Sequence, residues 1–314
     1  MKQFFLSLTV FALALTASAQ NFGFGGNQQS DTQAKFSQKY ENLNYAGDDQ
    51  AYHNLDVYIP EGKMPKKGWP VIVHIYGSAW FSNSSKGAAD INTICAALLD
   101  AGYAVVCPNH RSSGDAHYPA QINDIKAVVR WVRGNAKQYH FDTRFIGTSG
   151  FSSGAHLASL CAATNGVKVA KSGDVEMDIE GSLGNYTSFS SEVNACCEWS
   201  GPIDLMNMDC DGVEKTGFKP EDALMGFAYP GHEDAYNLLS PCYFINEKTV
   251  PIMVFHGGKD NVVPQCQGRE LFSVLQEKHV KGAKSHFEPE GGHGYAMYSK
   301  ENLAKMVAHF NEAK

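Results

Sequence analysis

The chain has 314 residues, with 33 acidic against 26 basic side chains and a formal net charge of −7. That length suits one large domain or two small ones, and the acidic balance argues against nucleic acid or an anionic membrane as partner. Its eight cysteines form no C-x-x-C pair and the chain has no H-E-x-x-H, so no metal site and no cofactor is expected.

The first elements concern export. Met1-Lys2-Gln3 leads into an apolar run from Phe4 to Thr16 that ends in Ala17-Ser18-Ala19, the pattern of a secretory signal peptide over residues 1–19. Cleavage there would leave 314 − 19 = 295 residues, exported and free, since no cysteine follows the site for a lipid anchor. Residues 20–40 read as a flexible lead-in, because Asn21 to Ser30 is rich in Gly and Gln. Residues 41–314 read as a single domain. No later segment approaches the roughly 20 apolar residues needed to span a membrane. Export permits disulfides, but spacing alone does not give their pairing. Cys107, inside an apolar strand, is expected as a packed thiol.

From there strand and helix patterns alternate. Leu55, Val57 and Ile59 alternate in a strand from His53 to Pro60, and Val71 to Tyr76 is a continuous apolar run suited to a strand covered on both faces. A helix from Ala88 to Ala101 precedes a strand from Tyr103 to Cys107. Between Gln121 and Gln138, Ile122, Ile125, Val128, Val129 and Val132 recur at three- and four-residue steps, giving a helix with one buried stripe. Then come a strand from Arg144 to Thr148, a helix from Ala155 to Ala163, and strands from Ala195 to Trp199 and Val250 to His256. A helix from Gly268 to His279, a short strand at Ser285 to Glu288 and a helix from Lys300 to Glu312 close the chain. This alternation predicts a mostly parallel sheet with helices on both faces. Gly166 to Val193 and Met206 to Asn237 resist it, being long, polar and Gly-containing, and are expected as excursions above the sheet, forming a substrate wall or lid.

Gly150-Phe151-Ser152-Ser153-Gly154 matches G-x-S-x-G, between a strand and a helix as that motif requires. The turn is so tight that its outer residues must lack a Cβ, and it presents the Ser152 hydroxyl at the tip of the sheet. A serine becomes a nucleophile only when a base takes its proton and a carboxylate orients that base. With this elbow the chain order is Ser, then Asp or Glu, then His. Asp260 follows the strand ending at His256, and His293 stands between glycines in Gly291-Gly292-His293-Gly294. Asp204, after the preceding strand, is the rival acid and is read instead as a helix cap or loop acceptor. His256, His279 and His286 carry no expected role. Oxyanion donors are expected from the backbone N–H of Ser153 and from Ser78 or Ala79 in the loop Tyr76-Gly77-Ser78-Ala79-Trp80.

With these pieces in place, the chain resembles the α/β-hydrolase esterases of the hormone-sensitive-lipase-like and BD-FAE-like type, which include bacterial carbohydrate acetyl and feruloyl esterases. The likeness runs from about Asn54 to the end. It rests on Leu55 to Pro60, Gly77 to Trp80, Tyr118 to Gln121, the Ser152 elbow, His256 to Pro264 and His293-Gly294. It implies the α/β-hydrolase fold and a secreted serine esterase acting on a small ester or acylated oligosaccharide. The sequence departs from the family in Tyr76-Gly77-Ser78 for His-Gly-Gly, in Phe151 for a polar residue, and in Ser153-Gly154-Ala155 for Ala-Gly-Gly. Two other readings use the same residues. A peptidase or amidase would use the same triad, but the chain has no room for the propeller domain such peptidases usually carry, and the amidases are typically intracellular. A silent binding protein would keep the fold, but silent relatives commonly lose one of the three residues retained here as Ser152, Asp260 and His293.

Overall fold

Neighbouring residues in the apolar runs point to opposite faces of one sheet, as the two-residue period of a strand dictates. Val71, Val73 and Ile75 are buried on one face and Ile72 on the other; the same split separates Val106 from Cys107, Cys196 from Cys197, and Val254 from Phe255. The computed structural model describes residues 33–88, 90–210 and 217–314. The expected signal peptide, the lead-in up to residue 32 and residues 211–216 of the second excursion lie outside the described residues.

The strands are β1 (Gln38–Asn44), β2 (Asn54–Ile59), β3 (Trp69–Ile75), β4 (Ala104–Pro108), β5 (Phe141–Phe151), β6 (Val169–Ser172), β7 (Val175–Asp178), β8 (Ala195–Trp199), β9 (Ile252–Gly257) and β10 (Lys284–Glu288). Eight of them form one sheet in the order β1-β2-β4-β3-β5-β8-β9-β10. The pairs β1–β2 and β2–β4 are antiparallel. From β4 to β10 every pair is parallel. β6 and β7 make a separate hairpin.

Helices cover both faces, and the fold is that of the α/β-hydrolases. They are α1 (Ala96–Asp100), α2 (Ala120–Gly134), α3 (Ala136–Tyr139), α4 (Ser153–Ala163), α5 (Pro220–Met225), α6 (Glu233–Leu239), α7 (Pro241–Phe244), α8 (Gln265–Glu277) and α9 (Lys300–Ala313). The α2 stripe packs with Leu157 and Leu160 of α4 on one face, while Leu98 of α1 and Met306 and Phe310 of α9 cover the other. α4 is buried along its whole length, which explains its run of small residues directly beneath the elbow. No described helix is long and apolar enough to cross a membrane.

Three expectations shift. The strand β1 begins at Gln38, inside the lead-in expected to run to residue 40; Gln-Lys-Tyr-Glu-Asn-Leu-Asn has no fully buried residue because it is an edge strand and so carries no apolar alternation. The helix expected from Ala88 is a π turn over Ile91–Cys95 that runs into the short α1. The first excursion braces a flank. Its Glu180 meets the buried Lys126 and Arg130 of α2, at 3.3 Å from the Lys126 Nζ and 2.5 Å from Arg130 Nη1, while Asn123 donates to the Asp178 and Ile179 carbonyls. Two cations on the α2 face would be costly to bury unpaired, and Glu180, just after the hairpin, is their partner.

The candidate active site

The elbow sits at the carboxyl end of β5. Ser152 has φ 55 and ψ −125, a conformation that costs on the order of 1–3 kcal/mol for a non-glycine residue and persists only where its surroundings enforce it. The flanking glycines show how. A Cβ on Gly150 would overlap the Gly154 carbonyl, and one on Gly154 would overlap the carbonyls of Ile75 and Tyr76. The Ser152 N–H donates to the Trp199 carbonyl at 2.9 Å, which fixes the turn against β8.

β9 and β10 pair in parallel as far as Gly257 and Glu288, so the loops that leave them start side by side. The Gly258 N–H donates to the Glu288 carbonyl at 2.7 Å, and the Lys259 N–H to the Gly291 carbonyl at 2.8 Å. These bonds hold the Asp260 loop against the His293 loop. Asp260 Oδ2 lies 2.7 Å from His293 Nδ1, and His293 Nε2 lies 3.0 Å from Ser152 Oγ. The three residues expected from chain order are thus brought together at one end of the sheet. In the tautomer this geometry supports, Nδ1–H donates to the carboxylate and Nε2 accepts the serine hydroxyl.

The Asp260 side chain is fully buried. Burial works to raise its carboxyl, but the His293 hydrogen bond and charge, the nearby His256 ring and the Val262 N–H outweigh that and hold it below the usual carboxylate range. Its other oxygen accepts from the N–H groups of Val262 and Val263 at 2.9 and 2.8 Å. His256 is structural, as expected: its Nε2 lies 2.9 Å from the Val263 carbonyl, and burial lowers its pKa. Asp204 stays apart from the site and accepts from the Met206 N–H at 3.1 Å, the loop role expected of it. His286 lies at the surface beside Glu288 and Lys305.

In the expected oxyanion loop the structure distinguishes the two candidate amides, Ser78 and Ala79. The Ser78 N–H donates to the side-chain Oγ of Ser153 at 2.9 Å, so this amide already has a partner inside the protein. Serine stands where the resembled family has alanine, and its hydroxyl turns back onto the loop. Beyond it, Ala79 and Trp80 are both left-handed, at φ 49 and 62, a tight reversal closed by the Phe81 N–H donating to the Ser78 carbonyl at 3.0 Å. Tyr76, in place of the family's His, stacks on His110 at 4.9 Å and donates its hydroxyl to the Ser82 carbonyl at 2.9 Å. Phe151 packs its ring 4.7 Å from that of His293, filling space behind the imidazole.

Sequence reasoning passed over two elements. Glu198 on β8 is fully buried, with Oε1 accepting from the Gly201 N–H at 3.2 Å and Oε2 finding no partner among the described residues. Burial pushes its carboxyl well up, and the Asp260 charge pushes the same way. The signal was a glutamate inside Ala-Cys-Cys-Glu-Trp, where an apolar strand has no ordinary use for a charge. The second is the anchor of the excursion after Asp204. Cys210 is disulfide-bonded to Cys266 on α8. Beside it, Gln267 Oε1 accepts from the Ile203 and Asp204 N–H groups, and its Nε2 donates to the Asn207 carbonyl at 2.8 Å. Cys107 is a buried free thiol, as expected. Among the described residues no group of three or more His, Cys, Asp or Glu is placed to hold a metal ion.

Comparisons with known proteins agree with this architecture. The BD-FAE family model matches residues 55–275. A truncated carbohydrate esterase from gut microbiota is 42% identical, with a TM-score of 0.83 over 90% of this chain and 99% of that one. A bifunctional GH43-CE protein of Bacteroides eggerthii is 43% identical with a TM-score of 0.82, covering 88% of this chain and 35% of that one. Esterase LipQ of Mycobacterium tuberculosis is 27% identical over 81% of this chain, which spans 56% of that relative's length. A family match over most of the chain, on top of the sheet order and the elbow, settles the placement: the chain belongs to the BD-FAE family of α/β-hydrolases.

Proposed function

We propose that the protein is a serine esterase that hydrolyses carboxylic esters through an acyl-enzyme, acting outside the cytoplasm on acetyl or feruloyl esters of plant polysaccharide fragments. The observation that carries the chemistry is the continuous chain from Asp260 Oδ2 to His293 Nδ1 at 2.7 Å and from His293 Nε2 to Ser152 Oγ at 3.0 Å. Ser152 Oγ attacks the ester carbonyl carbon while His293 Nε2 takes its proton. Asp260, ionised at neutral pH, holds the imidazole in the required tautomer and stabilises the imidazolium. Negative charge gathers on the carbonyl oxygen, where the Ser153 N–H at the start of α4 and the Ala79 N–H are the donors assigned to it; one such donor is worth on the order of 10²–10³ in rate. Return of the proton from His293 releases the alcohol, and water, activated by the same base, then releases the acid.

The substrate class draws support from two relatives over 40% identical that are described as a carbohydrate esterase and a GH43-CE protein. Export draws support from residues 1–19 and from the Cys210–Cys266 disulfide, since such bonds persist in oxidising compartments. The test is a fluorophosphonate probe on the purified protein, followed by acetate or ferulate release from xylan fragments. Wild type is expected to label and Ser152→Ala to stay unlabelled. Equal labelling of both would remove Ser152 from the mechanism, and hydrolysis of p-nitrophenyl esters without release from xylan fragments would remove the polysaccharide substrate.

A further inference from the structure

The described part of the second excursion and the loop before α2 line an open surface cavity of about 470 Å³, formed by His117, Phe218, Lys219, Asp222, Gly226 and Phe227. Its volume falls within the roughly 300–1,000 Å³ typical of small-ligand sites. It is not isolated from the chemistry. Phe218 packs on Phe81 with ring centroids 5.6 Å apart, and the Phe81 N–H closes the turn that carries Ser78 and Ala79. One aromatic contact therefore separates the cavity wall from the loop beside Ser152.

The inner side of the cavity is held by the protein's own contacts. Gly226, at φ 82, lies directly on the His117 ring, where any side chain would collide. The Tyr118 N–H donates to the Leu224 carbonyl at 2.9 Å, and the Ser113 N–H to that of Trp80 at 2.8 Å. The Tyr236 hydroxyl donates to Asp222 Oδ1 at 2.5 Å, which orients that carboxylate. Yet the rings at the mouth stay open to solvent: Phe218 is 57% exposed and Phe227 37%.

Open aromatic faces ringed by an acid, a base and a histidine select a particular ligand shape. A hydrocarbon acyl chain would gain little at rings this exposed and would strip water from Asp222 and Lys219 without replacing their hydrogen bonds. A sugar ring carries C–H groups on its face and hydroxyls on its rim, so it can stack on a phenyl ring while its rim meets the polar groups. We propose that this cavity is a sugar-binding subsite on the alcohol side of the reaction. In it Phe218 stacks against one pyranose ring of an oligosaccharide whose acylated residue lies at Ser152, with Asp222, Lys219 and His117 meeting the hydroxyls. The proposal rests on the carbohydrate-ester reading and adds to it where the sugar binds.

The experiment measures the sugar apart from the ester. Xylotetraose without ester groups is titrated calorimetrically into the full-length wild type and into Phe218→Ala, Phe218→Trp and Phe189→Ala, the last an exposed ring on the first excursion. Wild type, F218W and F189A are expected to bind alike and F218A at least tenfold more weakly; KM for acetylated xylo-oligosaccharides should rise by the same factor in F218A with kcat unchanged. No binding by wild type, or equal binding by F218A, overturns the subsite. Fluorophosphonate labelling of Ser152 and p-nitrophenyl acetate turnover by wild type report the esterase reading separately. An active enzyme whose F218A variant matches wild type therefore sinks only the subsite, and xylotetraose binding through Phe218 in a protein that cleaves no ester sinks only the esterase.

Discussion

The Ser78 N–H and the Ser153 hydroxyl are joined at 2.9 Å, so the residue after the nucleophile braces the loop that faces it. Ser153 is buried and Ser78 half-buried beside the elbow, and a neutral hydrogen bond of this kind contributes about 0.5–1.5 kcal/mol. Ser153→Ala removes the acceptor but leaves the Ser153 backbone N–H in place. Thermal unfolding of the variant should show a loss of about 1 kcal/mol, and kcat on p-nitrophenyl acetate should stay within about tenfold of wild type, since a donor to the oxyanion has not been lost. A fall in kcat of a hundredfold or more would show that the hydroxyl itself stabilises the developing charge.

Asp260 acts on Ser152 only through His293, at 2.7 Å, and its second oxygen is held by two backbone N–H groups. Asp260→Asn keeps the shape and the room but loses the charge, and its amide favours the wrong imidazole tautomer. The expected cost is roughly 10³–10⁴ in kcat with little change in KM. Steady-state kinetics on a p-nitrophenyl ester reads both. Activity near that of wild type in this variant would move the orienting role to another carboxylate.

Much of this was legible beforehand because the relevant signals are local. The elbow needs two glycines around Ser152, and apolar runs as regular as Val71 to Tyr76 have few other uses. The same locality explains what was missed. β1 is a polar edge strand whose identity lies in its pairing with β2, which no short window contains. Ser78 looked like a free amide because its partner, Ser153, lies 75 residues away. The Cys210–Cys266 bond and the cover over Lys126 and Arg130 are likewise contacts between distant segments, fixed only when the sheet order brings them together.

Glu198 gives the fold a dependence on pH that Asp260 does not. Burial, with the Asp260 charge behind it, raises the Glu198 carboxyl well above the usual range. Through that interval the folded protein keeps a proton that the unfolded chain has lost. The associated stability is full below the unfolded pKa and is lost as pH rises toward the folded value. Asp260, whose pKa is lowered, has the opposite sign: its contribution is complete above the unfolded pKa and declines only as pH falls through the folded one. Glu198→Gln keeps the neutral form permanently. Melting curves from about pH 4 to about pH 9 should show the variant nearly equal to wild type at the acid end and increasingly more stable toward the alkaline end. A difference that does not change with pH would mean that Glu198 is already ionised in the folded protein.

The Cys210–Cys266 bond joins residues 56 apart in the chain, and the loop it closes includes the residues between 217 and 228 that line the cavity. Restricting a loop of that length stabilises the fold by about 4 kcal/mol if the effect is mainly on the unfolded chain. Gln267 holds the start of the same loop with hydrogen bonds to Ile203, Asp204 and Asn207, so the base of the excursion stays seated when the disulfide is gone while its outer part loosens. Replacing both cysteines by serine should lower the melting temperature markedly. It should also raise KM for acetylated oligosaccharides by more than KM for p-nitrophenyl acetate, which carries no sugar for the Phe218 subsite to hold. Because Asp260 and His293 are fixed by β9, β10 and their own loops, kcat on the small ester should stay within about tenfold of wild type. An equal loss on both esters would mean that the bond supports the catalytic loops themselves, through the first turn of α8, rather than the wall above them.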